Sequence, residues 1–252
     1  MIAGASEGIG AAFAYSLAAR GLDVVLVARR RGPLDALAAS LTAQHRIATR
    51  VVALDLAEAD SAERLGAATD DLDVGLLICN AALVSMTSFF DTSVDVLART
   101  LDLNCRAPML LTRRYGAKMR DRGRGGIVMV SSLAALLSNP HGAAYGATKA
   151  FECILAEGIG GEQSVVDMVT CLAGPTRTPG LSRQGGDDMQ SLSAEQVVEE
   201  TLRGLGRQPR VIPGRLNRAA AWFMTRLPRK WAIGLVASQT KKLKPEPLTV
   251  EN

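Results

Sequence analysis

Aromatic side chains are scarce. Phe, Tyr and Trp together make 4% of the 252 residues, so a core must be filled by Leu, Val, Ile and Ala. Hydrophobic residues at 48% and charged residues at 21% still suffice for a packed globular unit. Histidine is nearly absent: His45 and His141 stand far apart with no ligand cluster around them, which argues against a structural metal. The four cysteines, Cys79, Cys105, Cys153 and Cys171, form no C-x-x-C pair and read as reduced, mostly buried thiols of a cytoplasmic protein. No apolar run reaches the roughly 18 residues that span a bilayer, and no charged-then-apolar leader of a secreted protein opens the chain. A net charge of +4 is too small to point to nucleic acid, and it suits a phosphate-bearing small molecule.

What is present is alternation. Apolar, β-rich runs occur at 23–28, 49–56, 75–82, 125–132 and 165–174, with helical patterns at 8–20, 33–44, 58–69, 92–121 and 143–160 between them. Strands separated by helices imply parallel pairs with right-handed crossovers. Their nearly continuous apolar character fits strands covered on both faces. The expected fold is a single α/β domain built on a doubly wound parallel sheet, with its ligand at the carboxyl ends of the strands. Ser193 and Gln196 form a capping box ahead of a further helix.

The chain opens MIAGASEGIG. Gly4, Gly8 and Gly10 permit a tight turn and close backbone approach to a pyrophosphate, which the N-terminus of the following helix would attract. The strand leading into this turn is cut to three residues, where about 5–6 is usual. The favoured expectation is that Met1 lies inside a longer natural chain; the alternative is a tolerated stub with a looser cofactor site. Strand 23–28 ends at Ala28, where an acid would bind ribose hydroxyls, and Arg29, Arg30 and Arg31 follow. Guanidinium groups pair with phosphate, so NADP(H) is expected in preference to NAD(H). Asp55, ending the next strand, has two readings: it meets the adenine amino group, or it caps the following helix.

Ser132, Tyr145 and Lys149 carry the expected chemistry. Tyr145 and Lys149 are four residues apart and share one helix face. A cation beside a phenol favours the phenolate, and a phenol so tuned exchanges a proton with a carbonyl or alcohol oxygen. Ser132, at the end of an apolar strand, is placed to hold that oxygen. Alone the spacing is weak, because any helix can carry an exposed Tyr–Lys pair.

The joint order GASEGIG, ARR, DL, CNAA, LDLN, VSS, YGATK and AGPTRT resembles the short-chain dehydrogenase/reductase family over residues 1 to about 205, in its NADP-preferring part near ketoacyl and steroid reductases. The resemblance implies a Rossmann-type domain at 1–205 and a C-terminal helical, basic extension at 206–252. It implies hydride transfer between NAD(P)(H) and a carbonyl or alcohol, here of an apolar or lipid-like molecule, with a catalytically weak NADP(H)-binding regulator or scaffold as the alternative. It makes Tyr145 the acid/base and Ser132 the substrate-orienting residue. Lys149 would bind the nicotinamide ribose and tune Tyr145, and Asn104 would hold a helix kink and a water beyond Lys149. Its cofactor contacts are Gly4, Ser6, Gly8, Ile9, Gly10, Arg29, Arg30, Asp55, Leu56, Asn80, Ala81, Tyr145, Lys149, Gly174, Thr176 and Thr178. It also implies a homodimer or homotetramer through the helices at 92–121 and 143–160. Cys79 and Ala82 in CNAA, Ala3, and Ala173 before Gly174 depart from the family pattern, as does the glycine-rich EGIGGE at a helix end. These departures bear on cofactor affinity more than on chemistry.

The loop 179–192 reads as a lid over substrate or as a plain surface loop. The tail mixes Trp222 and Trp231 with Arg215, Arg218, Arg226, Arg229 and Lys230. Two readings stay open for 210–244: helices that wall the pocket or a subunit contact, and a peripheral contact with the inner membrane surface.

Overall fold

A computed structural model describes residues 1–137, 140–162 and 165–240. Its centre is a seven-stranded, all-parallel sheet: β1 (Ile2–Ala3), β2 (Val24–Ala28), β3 (Thr49–Ala53), β4 (Leu76–Cys79), β5 (Gly126–Ser132), β6 (Asp167–Ala173) and an edge strand, Arg210–Val211. The order is β3-β2-β1-β4-β5-β6 and then the edge strand. Chain progression reverses between β1 and β4, and that switch opens a crevice beyond their carboxyl ends. The expected doubly wound single domain is therefore present, and so is the abbreviated first strand. β1 is two residues long, yet it is paired on both sides. Met1 prolongs the ladder by accepting from Ile78 N at 2.9 Å, and Ile2 and Ala3 are buried.

Helices cover both faces. α1 (Gly8–Ala18) and α2 (Arg31–His45) lie on one face, and α3 (Ser61–Ala67) with two longer helices on the other. Phe13, Leu34 and Leu41 fill the first core layer; Leu65, Leu111 and Tyr115 fill the second. Tyr115 is the one Tyr fully buried among the described residues, and its hydroxyl is satisfied by Thr69 Oγ1 at 2.7 Å. The four thiols are unpaired; three are buried and Cys105 is partly so.

The single helix expected at 92–121 is a correction. The segment runs as α4 (Val94–Leu101), a π-helical turn at Asp102–Arg106, and α5 (Ala107–Asp121). Pro108 explains the break, because it has no N–H to give the Asn104 carbonyl four residues back. By contrast α6 (Ala143–Glu162) runs on through Gly158, Gly160 and Gly161. Exposed Leu101, Met109, Phe151 and Ile154 lie on α4, α5 and α6, the helices named for a subunit contact.

Beyond β6 the lid segment is partly ordered. β7 (Thr176–Arg177) pairs with β8 (Leu192–Ser193), and α7 (Pro179–Arg183) stands between them. α8 (Ala194–Gly204) carries the capping box of Ser193 and Gln196. The edge strand, β9, escaped the sequence reading because two residues carry no period. Then follow α9 (Arg215–Met224) and α10 (Arg229–Thr240). The part of the tail reading that concerns 241–252 lies outside the described residues.

Candidate functional site

A cleft of about 2440 Å³ occupies the crevice at the carboxyl ends of the strands. That exceeds the roughly 300–1,000 Å³ of a drug-sized pocket and leaves room for two ligands side by side. The β1–α1 loop forms its floor. Gly4 and Gly8 hold φ of +88° and +59°, a backbone region that L side chains rarely adopt. Asn80 Nδ2 donates to Gly4 O at 2.8 Å and pins the loop to β4. Glu7 begins α1 without capping it through its side chain, so the loop and helix end offer backbone N–H groups suited to an anion. Ser6, Ile9, Ala81 and Leu56 line the cleft, whereas Gly10 lies beneath the loop.

Ala28 and Arg29 stand at the rim, with Arg29 exposed. Arg30 is engaged by Glu7 at 3.1 Å, and Glu7 also takes Arg183 from α7. These guanidiniums, Arg183 foremost, hold the Glu7 carboxyl below its ordinary value against some burial. Asp55 lines the cleft and already holds two partners: Oδ1 accepts from Ala57 N at 2.9 Å, and Oδ2 accepts from Arg99 of α4. It caps a turn, not the helix itself, since α3 begins six residues on. Gly174, Thr176 and Thr178 line the opposite wall. Thr176 Oγ1 donates to Gly174 O at 2.9 Å, and Thr178 Oγ1 caps α7 by accepting from Leu181 N.

Ser132, Tyr145 and Lys149 line the same cleft. Ser132 ends β5, and its Oγ accepts from Ala134 N at 3.1 Å. Tyr145 sits half-buried in the first turn of α6. Lys149, one turn on, is 2% exposed, with Nζ 5.9 Å from the Tyr145 ring centre. That burial is not what an ordinary exposed helix pair shows. Lys149 Nζ donates to Val130 O at 2.9 Å and to both carboxylate oxygens of Glu152, at 2.9 and 3.0 Å. Burial works to lower the Lys149 pKa, but Glu152 and Tyr145 outweigh it and hold the group above the ordinary lysine value. Asn104 is fully buried behind the cleft wall. In the π-helical turn its Oδ1 accepts from Leu83 N at 2.8 Å, and its Nδ2 donates to Leu83 O and Thr148 Oγ1. These bonds tie the break in the helix to β4's loop and to α6.

The sequence profile of short chain dehydrogenases matches residues 1–187. The chain belongs to the short-chain dehydrogenase family. It is thus an oxidoreductase on a Rossmann nucleotide-binding fold, among relatives named for steroid and ketoacyl substrates. It is 34% identical over 224 residues to a 7beta-hydroxysteroid dehydrogenase of Clostridium sardiniense, with 86% of each chain covered. It is 31% identical over 214 residues to a very-long-chain 3-oxoacyl-CoA reductase of Phaeosphaeria nodorum, covering 82% of this chain and 63% of that one. A structure from work on 7beta-hydroxysteroid dehydrogenase stereoselectivity superposes with a TM-score of 0.88 at 30% identity, over 93% of this chain and 94% of that one. A short-chain dehydrogenase from Sphingobium yanoikuyae, solved with NADPH, superposes with a TM-score of 0.80 at 29% identity, over 90% and 95%.

Two features of this short-chain dehydrogenase were missed from sequence. Glu152 sits at i+3 from Lys149, and a charged residue on the buried stripe of a helix is the signal that was available. Arg99 reaches Asp55 across 44 residues, which no local pattern reveals. As one of the two sequence readings of the tail has it, α9 and α10 wall the cleft: Leu216, Asn217, Met224 and Val236 line it beside Leu133 and Leu136. Gly174 leaves room for this, since a Cβ there would lie 2.6 Å from Asn217 Nδ2.

Proposed function

We propose that the protein is an NADPH-dependent carbonyl reductase, or in reverse an alcohol dehydrogenase, for bulky apolar substrates of steroid or long acyl type. The observation that carries this is that Ser132, Tyr145 and Lys149 line one cleft together with the glycine loop and with Leu133, Leu136, Leu216 and Met224. The residues present fit a dinucleotide. The positive-φ glycines and the α1 N-terminus suit its pyrophosphate, and Ala28 with Arg29 suits a 2′-phosphate that an acid would repel. The NADPH-bound relative supports that choice. Hydride would come from a bound nicotinamide held by these residues. Tyr145 gives its proton to the substrate oxygen as charge builds there, Ser132 donates a hydrogen bond to that oxygen, and Lys149 keeps a cation beside the phenol. Asn104 holds the π-helical turn that packs behind α6.

NADPH oxidation against bulky ketones, quinones and acyl thioesters tests this reading. Turnover is expected with at least one class. Loss of a charge-assisted bond to the 2′-phosphate should make NADH worse by about tenfold or more in kcat/KM. Tight NADPH binding without turnover on any member overturns the reading in favour of a regulator.

The outer face of the tail supports a peripheral membrane contact that would bring such substrates to the cleft. No described helix is long and apolar enough to cross a bilayer. Trp222 and Trp231 are 60% and 72% exposed, Phe223 is exposed beside them, and Arg226 lies 4.1 Å over the Trp222 ring. No Asp or Glu stands between Glu200 and Glu246, while Arg and Lys recur throughout. Aromatics among cations suit an anionic lipid surface. Co-sedimentation with phosphatidylglycerol vesicles is expected, falling with salt and with Trp222→Ala plus Trp231→Ala. Equal recovery with neutral vesicles, or none with either, overturns the contact.

A further inference from the structure

We propose that Glu152 is a positioning residue for proton transfer, acting through Lys149: it fixes the ammonium in a buried seat and offsets the charge that Tyr145 feels. The inference rests on the reading of Tyr145 and Lys149 given above and adds a residue to it.

The geometry is that of a closed seat. An ammonium has three N–H donors, and Lys149 meets three acceptors: Val130 O on β5 and the two carboxylate oxygens of Glu152 on its own helix. Both side chains are 2% exposed. Water therefore does little to screen the pair, and the carboxylate acts on whatever the ammonium acts on. While Glu152 is ionised, Tyr145 faces a cation whose charge is largely balanced. When Glu152 is neutral, Tyr145 faces an uncompensated one. The same contacts bear on the cofactor, because a ribose hydroxyl reaches Lys149 only if Glu152 or Val130 yields a donor.

The groups that surround Glu152 leave Lys149 as its charged neighbour. Cys79 on β4, Cys105 in the π-helical turn and Cys153 on α6 all feel its charge. Burial pushes Cys79 to about 12 and Cys105 to about 11, and it raises Cys153 as well, so all three are neutral thiols near pH 7. Tyr145 faces the pair from one turn back on α6. Burial raises Glu152 to about 7 against the pull of Lys149. Burial thus works against the charge of Glu152, while Lys149 is held protonated against the same burial by Glu152 and Tyr145.

The test compares wild type, Glu152→Gln and Glu152→Leu. Gln keeps two hydrogen-bonding atoms and removes only the charge, while Leu removes both. In alcohol oxidation, which needs Tyr145 as a base, both variants should reach half-maximal kcat at a pH lower by about one unit, since removing a carboxylate from the cation leaves more attraction for a phenolate. Gln should keep KM for the nucleotide within about threefold. In the cofactor-free protein, tyrosinate ultraviolet absorbance, corrected with Tyr145→Phe, should appear at lower pH in Glu152→Gln than in wild type. Coincident pH profiles, or a uniform fall in rate with an unmoved midpoint, overturn the proposal and leave Glu152 a structural ion-pair partner. A wild type that turns over no substrate fails the enzyme reading instead, and the absorbance comparison still decides the role of Glu152.

Discussion

Tyr145→Phe is expected to lose turnover by about a thousandfold or more while keeping its nucleotide affinity. The size follows from general acid–base catalysis, which contributes roughly 10²–10⁴-fold. The substitution removes one oxygen and leaves the ring. Tyr145 is only half-buried and its ring packs at the cleft wall, so the fold has little to lose. Lys149 does not depend on the phenol for its seat, because Val130 O and Glu152 hold it. The glycine loop and Arg29, which support nucleotide binding, are untouched. Steady-state rates with a bulky ketone and nucleotide titration by fluorescence measure the two halves separately. Unchanged turnover removes Tyr145 from the chemistry. Loss of nucleotide binding together with turnover shows that the phenol is part of the binding seat instead.

Much of the frame is legible in the sequence because a parallel sheet covered on both faces writes its strands as apolar runs. β2, β3, β4, β5 and β6 fall inside the runs read at 23–28, 49–56, 75–82, 125–132 and 165–174. That Ser132 and Tyr145 share the cleft is also legible, since a strand end and the start of the following helix of one βα unit must lie at the same edge of the sheet. What escaped depends on contacts between distant residues or on signals that compete. The kink at Asn104 is implied by the family resemblance, but periodicity alone gives one helix over 92–121, because apolar patterns on either side of Pro108 run together. Asp55 reads in sequence as an adenine partner or a helix cap, and its ion pair with Arg99 shows only in space. Glu152 reads as a surface charge by residue type and as core by its i+3 spacing; in the structure the spacing wins, because Lys149 meets it in the interior. For the tail the sequence leaves pocket wall and membrane contact both open; what only the structure adds is that Asn217 on α9 packs against Gly174 and that the tail helices line the apolar end of the cleft.

Gly10→Ala carries the other large effect, because here helix propensity and close packing oppose each other. Gly10 lies in the first turn of α1, and at an open helix position Ala would stabilise by roughly 1 kcal/mol. At Gly10 the added Cβ would stand 1.9 Å from Gly4 O and 2.8 Å from Asn80 Nδ2. Neither neighbour can swing aside freely. Gly4 O is backbone in a positive-φ turn, and it accepts the Asn80 bond that ties the loop to β4. Relief requires α1 to lift from the loop, which separates the helix N-terminus from the place where a pyrophosphate would rest. A net loss of about 3 kcal/mol is expected from overpacking against backbone, with nucleotide affinity falling by about a hundredfold or more. Gly21→Ala is the comparison: Gly21 has positive φ, +75°, which helical Gly10 does not, and no atom lies within 4 Å of its Cβ, so it reports backbone strain without overpacking. Urea unfolding and nucleotide titration on both variants separate the terms. Gly21→Ala should lose stability with affinity intact, since its strain lies beyond the far end of α1. A Gly10→Ala protein that binds nucleotide as wild type does would mean that the loop does not cradle the phosphates, and the cofactor would have to be placed elsewhere in the cleft.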